Sequence, residues 1–465
     1  MEMNNTIEYS EKQEKIGSAI CERVNNFFKG SYEKFDKSKV TEIAKIEDED
    51  RRRIIHSVKV GLAITLVSFL YYLRPLYDGL FGQAGMSAVL TVVVVFEFSS
   101  VGALFSKCLN SGAATLVAGG LGVGAGYLAR LCGDKGEAIV LGILVFLLAA
   151  ASTYMRFIPS IKSKYDHGVV IFILTFTLVA ILGYRVTEIS ILGHQRLSTI
   201  FMGGAICILV SVSVCPVWAG QDLHLLVSGN IDKLATFFLG YGDELSTDKI
   251  DKYLEDHKTV LDSKVNEESL ANFAWWEPPH GEFRYNHPWE HYLELGVLTR
   301  ECANHIQTLI STGYCINSKP QELESEFDLK IEPECKKLST ELGKALKELA
   351  SATKGMTVPQ LSAAQIHISN SKSAADELII VLQNCSSLLL GPTKIDLGRI
   401  MPPLVTTSIL VDVIECIERI SASVDELSQK ARFRKLDSSK DQKKLDDLHV
   451  VIDIKDELDA KQETL

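Results

Sequence analysis

The sequence predicts an all-α membrane protein in which six transmembrane helices are followed by a cytosolic helical bundle. Residues 51–216 contain six apolar segments in close succession, each with about the 17–25 residues that a helix needs to cross a bilayer core. A soluble core would need amphipathic partners around these segments, and six apolar segments in a row do not provide them. After Pro216 the chain becomes polar overall, with apolar residues at steps of three and four, which is typical of amphipathic helices.

The six segments share a near-complete lack of charge, with Lys59 and Glu97 as the exceptions. They are Ile54–Leu73, Gln83–Phe105, Leu109–Ala129, Ala138–Tyr154, Gly168–Tyr184 and Ser198–Cys215. The third is rich in glycine, and the pairs Gly120/Gly124 and Gly122/Gly126 have the spacing of close helix packing. Dinucleotide binding is the alternative, but no strand precedes these glycines, so packing is the better interpretation.

The flanking residues predict the orientation and the remaining domains. The arginine triplet 51–53 precedes the first segment and, by the positive-inside rule, places the N-terminal segment 1–50 in the cytosol. Six crossings return the chain to the same side, so residues 217–435 form a predicted cytosolic helical domain and 436–465 a charged, disordered tail. The predicted helices of this domain are Leu223–Leu239, Thr247–Phe273, Trp289–Ser311, Pro320–Lys354, Ser362–Leu390 and Arg399–Ala431.

The charge distribution favours an anion as the transported species. Residues 51–216 carry 13 basic and 6 acidic residues, whereas the rest of the chain carries 35 basic and 53 acidic ones. Unpaired cations at membrane depth are costly and commonly line a pathway. Each cation alone is more often an interfacial anchor, and Lys59 could snorkel, but together they predict a basic pore. The candidate pore residues are Lys59, Lys107, Arg130, Arg156, Lys162 and Lys164.

Other chemistry finds little support in the sequence. Glu97 could pair with Lys59 or a neighbouring arginine, or take part in gating. No nucleophile–base motif or Walker A sequence occurs, so we expect neither an enzyme nor an ATP-driven pump. The ten cysteines show neither CxxC pairs nor metal-ligand spacing.

Three histidines offer a candidate metal site. His287 and His291 would share a helix face one turn apart, with His280 nearby, but the segment is not HExxH and lacks a third ligand on that helix. We therefore expect no metal and no other cofactor. The tryptophans near these histidines, Trp275, Trp276 and Trp289, are interpreted as a rigid aromatic corner between helices.

Two long strings of residues identify a family resemblance. They are Cys215–His224 (CPVWAGQDLH) and Trp276–Gly281 (WEPPHG), supported by Thr91–Phe98, Thr115–Gly122 and Phe172–Thr177. From Arg52 to Phe433 the chain resembles the plant aluminium-activated malate transporters, a group of anion channels. The resemblance implies a homodimer in the lipid bilayer, with six membrane helices and a cytosolic helical domain in each subunit.

The resemblance also implies passive conduction of malate and, in some members, chloride, nitrate or sulfate, through a pore with basic residues. Arg156 matches a pore arginine of the family. Trp276, Glu277, Pro278, His280 and Gly281 match the family motif, to which we assign a structural or gating role. We expect no nucleic-acid partner, and we favour the plasma membrane over the vacuolar membrane.

Two departures from the family pattern matter. Relatives often carry an arginine where this chain has Ser111, so we expect a weaker positive field along the pore. Aluminium-responsive relatives have a richer acidic cluster before the sixth helix, where this chain keeps Glu188, with Asp78 elsewhere. A trivalent cation needs several carboxylates, so we expect little or no activation by aluminium.

Two rival functions remain from the sequence. A secondary active exporter of organic or aromatic acids would need a protonatable group at the membrane midplane, and Glu97 is the acidic candidate. A non-conducting scaffold or sensor is favoured by Ser111 alone.

Overall fold

The structure is a computed structural model, and it describes residues 48–72, 86–97, 100–183, 189–241, 247–312, 326–389 and 397–434. Within these ranges the chain forms thirteen α-helices and two isolated β-bridges but no strand, which confirms the all-α prediction. The expectations for residues 1–47, Asp78, Glu188 and the tail from 436 lie outside the described residues. The chain divides into two compact units, one of 1–219 with 272–278, and one of 220–271 with 279–465.

The first unit contains the predicted apolar segments. Its described helices are α1 (Asp48–Tyr72), α2 (Met86–Val95), α3 (Val101–Arg130), α4 (Gly133–Met155), α5 (Pro159–Gly183) and α6 (Ile189–Ser213). Three stretches in the described residues are long and apolar enough to cross a membrane: Val101–Arg130, Gly136–Met155 and Lys164–Ile181. A shorter apolar stretch, Leu197–Ser213, lies in α6.

The predicted boundary between the second and third segments is wrong. Instead of continuing to Phe105, α2 ends at Val95, and α3 runs without a break from Val101 to Arg130. Ser100 causes the new start, because it has extended backbone angles and its side chain accepts a hydrogen bond from the amide of Ala103. Lys107 therefore lies inside a helix rather than in the predicted loop.

Small residues let α3 approach α5, although they are not all the predicted ones. A Cβ added at Gly122 would lie 2.8 Å from Cγ1 of Val179, so this glycine is required by close packing. Gly120 and Gly124 have open space at the same position, so that pair does not make the predicted contact within the described residues.

The second unit is helical and has its own apolar core. Its described helices are α7 (Ala219–Gly240), α8 (Thr247–Leu261), α9 (Lys264–Ala274), α10 (Trp289–Thr312), α11 (Glu326–Gly355), α12 (Pro359–Leu389) and α13 (Leu397–Ala431). The predicted helix over 247–273 is two helices, separated at Asp262–Ser263. In α13 the apolar residues at steps of three and four, Ile409, Val413, Ile417 and Ile420, are buried, as this spacing predicts.

Candidate functional site

Lys107 is paired with Glu97. Its ammonium donates to Oε2 of Glu97 over 2.8 Å, and the Lys107 side chain is 10% exposed against 67% for Glu97. The prediction that Glu97 would pair with Lys59 or an arginine is therefore wrong. Glu97 follows the end of α2 at Val95, and Lys107 lies in the second turn of α3, which begins at Val101.

Arg156 follows the end of α4 and forms a two-pronged pair with Asp166 of α5. Nε donates to Oδ1 over 2.7 Å and Nη2 to Oδ2 over 3.1 Å, with the two side chains 40% and 35% exposed. A pair this exposed adds little stability, but its geometry orients the guanidinium. Arg156 also lines a groove of about 650 Å³ whose other lining residues are Val170, Ile173, Leu174, Thr177, Leu178 and Ile181.

The remaining predicted cations lie at two different levels of the first unit. Lys162 and Lys164 are exposed in the first turns of α5, close in sequence to Asp166. Arg130 ends α3 and lies 3.8 Å from Glu137. Along a helix, 23 residues span about 34 Å, so Arg130 is far from Lys107 on the same helix. The six predicted residues therefore do not form a single cluster.

Lys59 is buried rather than exposed. Its ammonium donates over 2.9 Å to the carbonyl of Cys215, two residues beyond the end of α6. Cys215 has φ of +42°, a left-handed conformation in which the chain leaves the helix. A cation at a helix C-terminus is favourable, so this contact gives Lys59 a structural role in capping α6.

Ser111 is buried and contacts His167 of α5. Its hydroxyl lies 2.9 Å from Nε2 of His167, and the neighbouring Asn110 amide donates to the carbonyl of Lys164 over 3.1 Å. Both contacts join α3 to α5. At the position where the resemblance leads us to expect an arginine, this chain therefore has a serine that contacts a histidine of the neighbouring helix.

The first turn of α3 is held by two segments that lie far away in the sequence. The amide of Val101 donates to the carbonyl of Val217 over 2.9 Å, and the amide of Gly102 donates to Oε1 of Glu277 over 3.3 Å. The same Glu277 oxygen accepts the amide of Ala219, the first residue of α7, over 2.6 Å. The first amides of a helix have no partner within it, so Glu277 satisfies one at each of two helix starts. We call the contacts of Glu277 with Gly102 and Ala219 the Glu277 junction.

Gly102 fits this junction because it lacks a side chain. A Cβ at this position would overlap the carbonyl oxygen of Phe273 and lie 2.7 Å from Cγ of Glu277. The two strings that identify the family resemblance thus meet at one place, through Val217 and Ala219 of the first and Glu277 of the second. The sequence predicts a structural or gating role for Glu277 and does not indicate Gly102, because neither contact is local.

Comparison with known proteins identifies the family of this chain. The model of the family described as aluminium activated malate transporter matches residues 44–399. The chain is 48% identical over 405 residues to aluminum-activated malate transporter 2 of Arabidopsis thaliana, covering 85% of this chain and 78% of that protein.

The chain belongs to the aluminium-activated malate transporter family.

Further relatives are similar over comparable lengths. Aluminum-activated malate transporter 1 of Arabidopsis thaliana is 47% identical, covering 85% of this chain and 80% of that protein. The protein named aluminum-activated malate transporter 1 in Triticum aestivum is 45% identical, covering 84% and 85%. Membership of a transporter family, together with apolar helices of spanning length, identifies the chain as a membrane protein.

The rest of the family motif forms a tight turn. After α9 the amide of Glu277 donates to the carbonyl of Ala274, and Trp275 and Trp276 contact each other edge to face at 5.0 Å. Further on, His280 and Phe283 exchange backbone hydrogen bonds across a turn that contains Gly281 at φ of +53°. Glycine adopts this conformation without strain, which explains the last residue of the motif.

The three histidines considered for a metal have different surroundings. His287 precedes α10 instead of sharing a helix with His291, so the predicted common face is wrong. It is buried against Trp289, with ring centres 4.4 Å apart, whereas His291 pairs with Glu294 over 2.8 Å. Within the described residues, no group of three or more potential ligands is placed to hold a metal.

These rings are part of an aromatic core in the second unit. The hydroxyl of Tyr292 lies 3.0 Å from Nδ1 of His224 and 3.3 Å from Nε2 of His287. Burial, reinforced by the charges of His224 and His280, lowers the pKa of His287 to about 4. Burial also lowers the pKa of His224.

We expect acid to destabilise the second unit through these histidines. A pKa that is lower in the folded state than in the unfolded state means that the unfolded chain binds more protons once the pH falls below about 6.5. The stability contributed by His287 is thus complete above that pH and declines towards pH 4, by up to about 1.4 kcal/mol for each pH unit. Thermal unfolding of the purified protein between pH 7.5 and 5 measures this decline, which should be shallower in His287→Gln. An unchanged midpoint in the wild type across that range would contradict the prediction.

Proposed function

We propose that this chain is a passive channel for malate and other small anions in a plant membrane. In this proposal it works as a homodimer with six membrane helices and cytosolic termini in each subunit, and the plasma membrane is the favoured location. The proposal is supported by relatives at 45–48% identity that are named malate transporters. The observation that carries it is the exposed guanidinium of Arg156 at the junction of α4 and α5, with Lys162 and Lys164 nearby.

The proposed pathway uses Lys107, Arg130, Arg156, Lys162 and Lys164. Lys59 is left out, because it is buried and caps α6. Conduction requires an anion to be attracted strongly enough to lose part of its water and weakly enough to leave. Glu97 and Asp166 offset the charges of Lys107 and Arg156, so an anion would meet these two cations as partly neutralised groups.

The alternative of a secondary active exporter is less well supported. Such a mechanism needs an acid at the midplane that can gain and lose a proton, and Glu97 was its candidate. Glu97 lies in the turn between α2 and α3 and accepts a hydrogen bond from Lys107, so its contact is with a fixed cation. A non-conducting scaffold would be favoured if no anion gradient produced a current.

We expect Arg156→Glu to reduce anion current by about tenfold or more. Two unit charges 4 Å apart interact by about 1 kcal/mol in water, and this substitution changes the local charge by two units. Asp166→Asn is the matched variant: it removes the neighbouring carboxylate and should leave the current equal or larger. Voltage-clamp recording with malate or chloride as the permeant anion, with surface expression measured in the same cells, tests both.

The outcomes separate the possible roles. A current that reverses at the Nernst potential of the anion and decreases in Arg156→Glu supports a channel with Arg156 in its path. A current that is unchanged by this substitution would indicate that Lys107, rather than Arg156, determines anion selectivity. A wild-type protein that reaches the surface and gives no current would contradict the proposed function.

A further inference from the structure

We propose that the turn between α4 and α5 binds an anionic phospholipid, with the phosphate at Arg156 and Lys162 and one acyl chain in the groove along α5. All of these residues belong to the first unit. The groove, of about 650 Å³, is lined by Arg156 and by six residues of α5 between Val170 and Ile181, five of which are apolar. Arg156 lies at the Val170 end, because it binds Asp166. A cation at the end of an apolar groove suits a ligand with an anionic head and an apolar tail.

A second cation lies in line with the groove. Residues four apart are neighbours on the surface of a helix, so Lys162, Asp166, Val170 and Leu174 form one row along α5. Arg156 joins this row through two hydrogen bonds to Asp166, and Lys162 is exposed. Two cations and one carboxylate leave an excess of positive charge. The pair uses two of the five N–H groups of the guanidinium, so Arg156 can bind Asp166 and a phosphate oxygen together.

The groove has the length of one leaflet of the bilayer. From Val170 to Ile181 the helix rises about 16 Å, and the hydrocarbon core of a bilayer is about 30 Å thick. Val170, Leu174 and Ile181 are 36%, 41% and 61% exposed. They lie within Lys164–Ile181, a stretch that is long and apolar enough to cross a membrane. An acyl chain beginning near Arg156 would therefore cover this row as far as the bilayer midplane.

Exposed aromatic side chains indicate that the α4–α5 turn lies at the membrane–water boundary. Tyr154, Phe157 and Tyr165 are 72%, 77% and 51% exposed. Aromatic residues are enriched at the level of the lipid headgroups. Arg156 and Lys162 would then lie at the depth of the lipid phosphates. In the orientation proposed above this is the cytosolic leaflet, where anionic lipids are concentrated.

The lipid site shares Arg156 with the proposed anion pathway. A lipid phosphate bound there would compete with malate for the guanidinium, a consequence that rests on the function proposed above. The binding itself requires no conduction, so it can be tested without recording a current.

The test measures lipid binding to the purified full chain by native mass spectrometry. The probes are phosphatidylglycerol, which is anionic, and phosphatidylcholine, which is zwitterionic, with identical acyl chains. The wild type should bind phosphatidylglycerol roughly tenfold more tightly, because its extra negative charge lies beside two cations. Arg156→Gln and Lys162→Ala should each reduce this preference to roughly threefold or less. Leu174→Trp fills the groove and should weaken the binding of both lipids roughly tenfold.

Two matched variants serve as controls. Lys164 is as exposed as Lys162, but its row on α5 continues through Gly168 to Phe176, which is buried in the core shared with α3. Lys164→Ala should therefore retain the preference for phosphatidylglycerol. Ile143 of α4 is 54% exposed and does not line the groove, so Ile143→Trp should bind both lipids as the wild type does.

Three results would overturn the proposal. The first is equal affinity of the wild type for the two lipids. The second is an equal loss of preference in Lys164→Ala and Lys162→Ala, because the attraction would then come from the general charge of the turn. The third is a Leu174→Trp variant that binds lipid normally but has a changed oligomeric state in the same spectra, because the groove would then be an interface between copies of the chain. If the wild type kept its lipid preference but gave no current, the proposed function would fall and the lipid site would stand.

Discussion

Gly102→Ala is expected to destabilise the first unit by several kcal/mol and to reduce folded protein at the membrane. The added methyl group would overlap the carbonyl oxygen of Phe273 and press on the side chain of Glu277. Overpacking of this kind costs about 1–3 kcal/mol, and displacing a hydrogen bond to a charged group adds about 1.5–3 kcal/mol. Fluorescence-detected size-exclusion chromatography after a temperature series measures the loss directly.

Two other glycines of α3 provide the control. A Cβ at Gly112 or Gly119 would meet no heavy atom within 4 Å, so alanine fits at both positions. Alanine is preferred over glycine in a helix by about 1 kcal/mol, so Gly112→Ala and Gly119→Ala should be neutral or slightly stabilising. Equal thermal profiles for all three variants would show that the close contact at Gly102 does not constrain the fold.

Arg300→Ala is expected to destabilise the second unit by about 3–5 kcal/mol. Its partner Glu267 has a side chain that is only 1% exposed, and the carboxylate also accepts hydrogen bonds from Ser263 over 2.7 Å and Asn230 over 3.3 Å. Gly296 leaves the space that this carboxylate fills. Removing the guanidinium leaves a buried charge without its counter-ion. This destabilises a protein more than replacing both charged partners with apolar residues. Chemical unfolding of the purified chain measures the change.

A second arginine–glutamate pair in the same unit is exposed and provides a control for the effect of burial. Arg419 binds Glu301 with two hydrogen bonds of 2.9 and 2.7 Å, but the side chains are 44% and 41% exposed. Arg419→Ala should therefore cost no more than about 1 kcal/mol. The double variant Glu267→Leu with Arg300→Met should recover much of the loss, because it removes both buried charges. Similar losses for Arg300→Ala and Arg419→Ala would contradict the assigned difference in burial.

The sequence predicted the helical content well because apolar runs and three- and four-residue steps report directly on helices. It misplaced the start of α3, since hydropathy records composition and Ser100 sits within a run of apolar residues. It also placed His287 on a helix, although the following Pro288 disfavours helical backbone at the preceding residue and was an available signal.

The contacts of the candidate site were harder to predict for a physical reason. Glu277 and Gly102 are 175 residues apart, and no local propensity specifies a hydrogen bond between them. Likewise, the pairing of Arg156 with Asp166 depends on how the chain turns between α4 and α5. The resemblance indicates Glu277 and Arg156 as functional residues. Their partners, the helix-start amides for Glu277 and Asp166 for Arg156, are visible only in the structure.

The burial of Lys59 has a consequence for assembly during synthesis. Its acceptor, the carbonyl of Cys215, is made 156 residues later, after the last apolar helix of the first unit. A lysine within an isolated membrane helix is costly, and the cost reaches about 2.5–3.5 kcal/mol at the helix centre. In a six-span arrangement, α1 would therefore be unstable in the membrane when it first inserts. It would be stabilised once α6 has inserted and the carbonyl of Cys215 can accept the hydrogen bond from Lys59. The first apolar segment to leave the ribosome would thus be among the last to reach its final position.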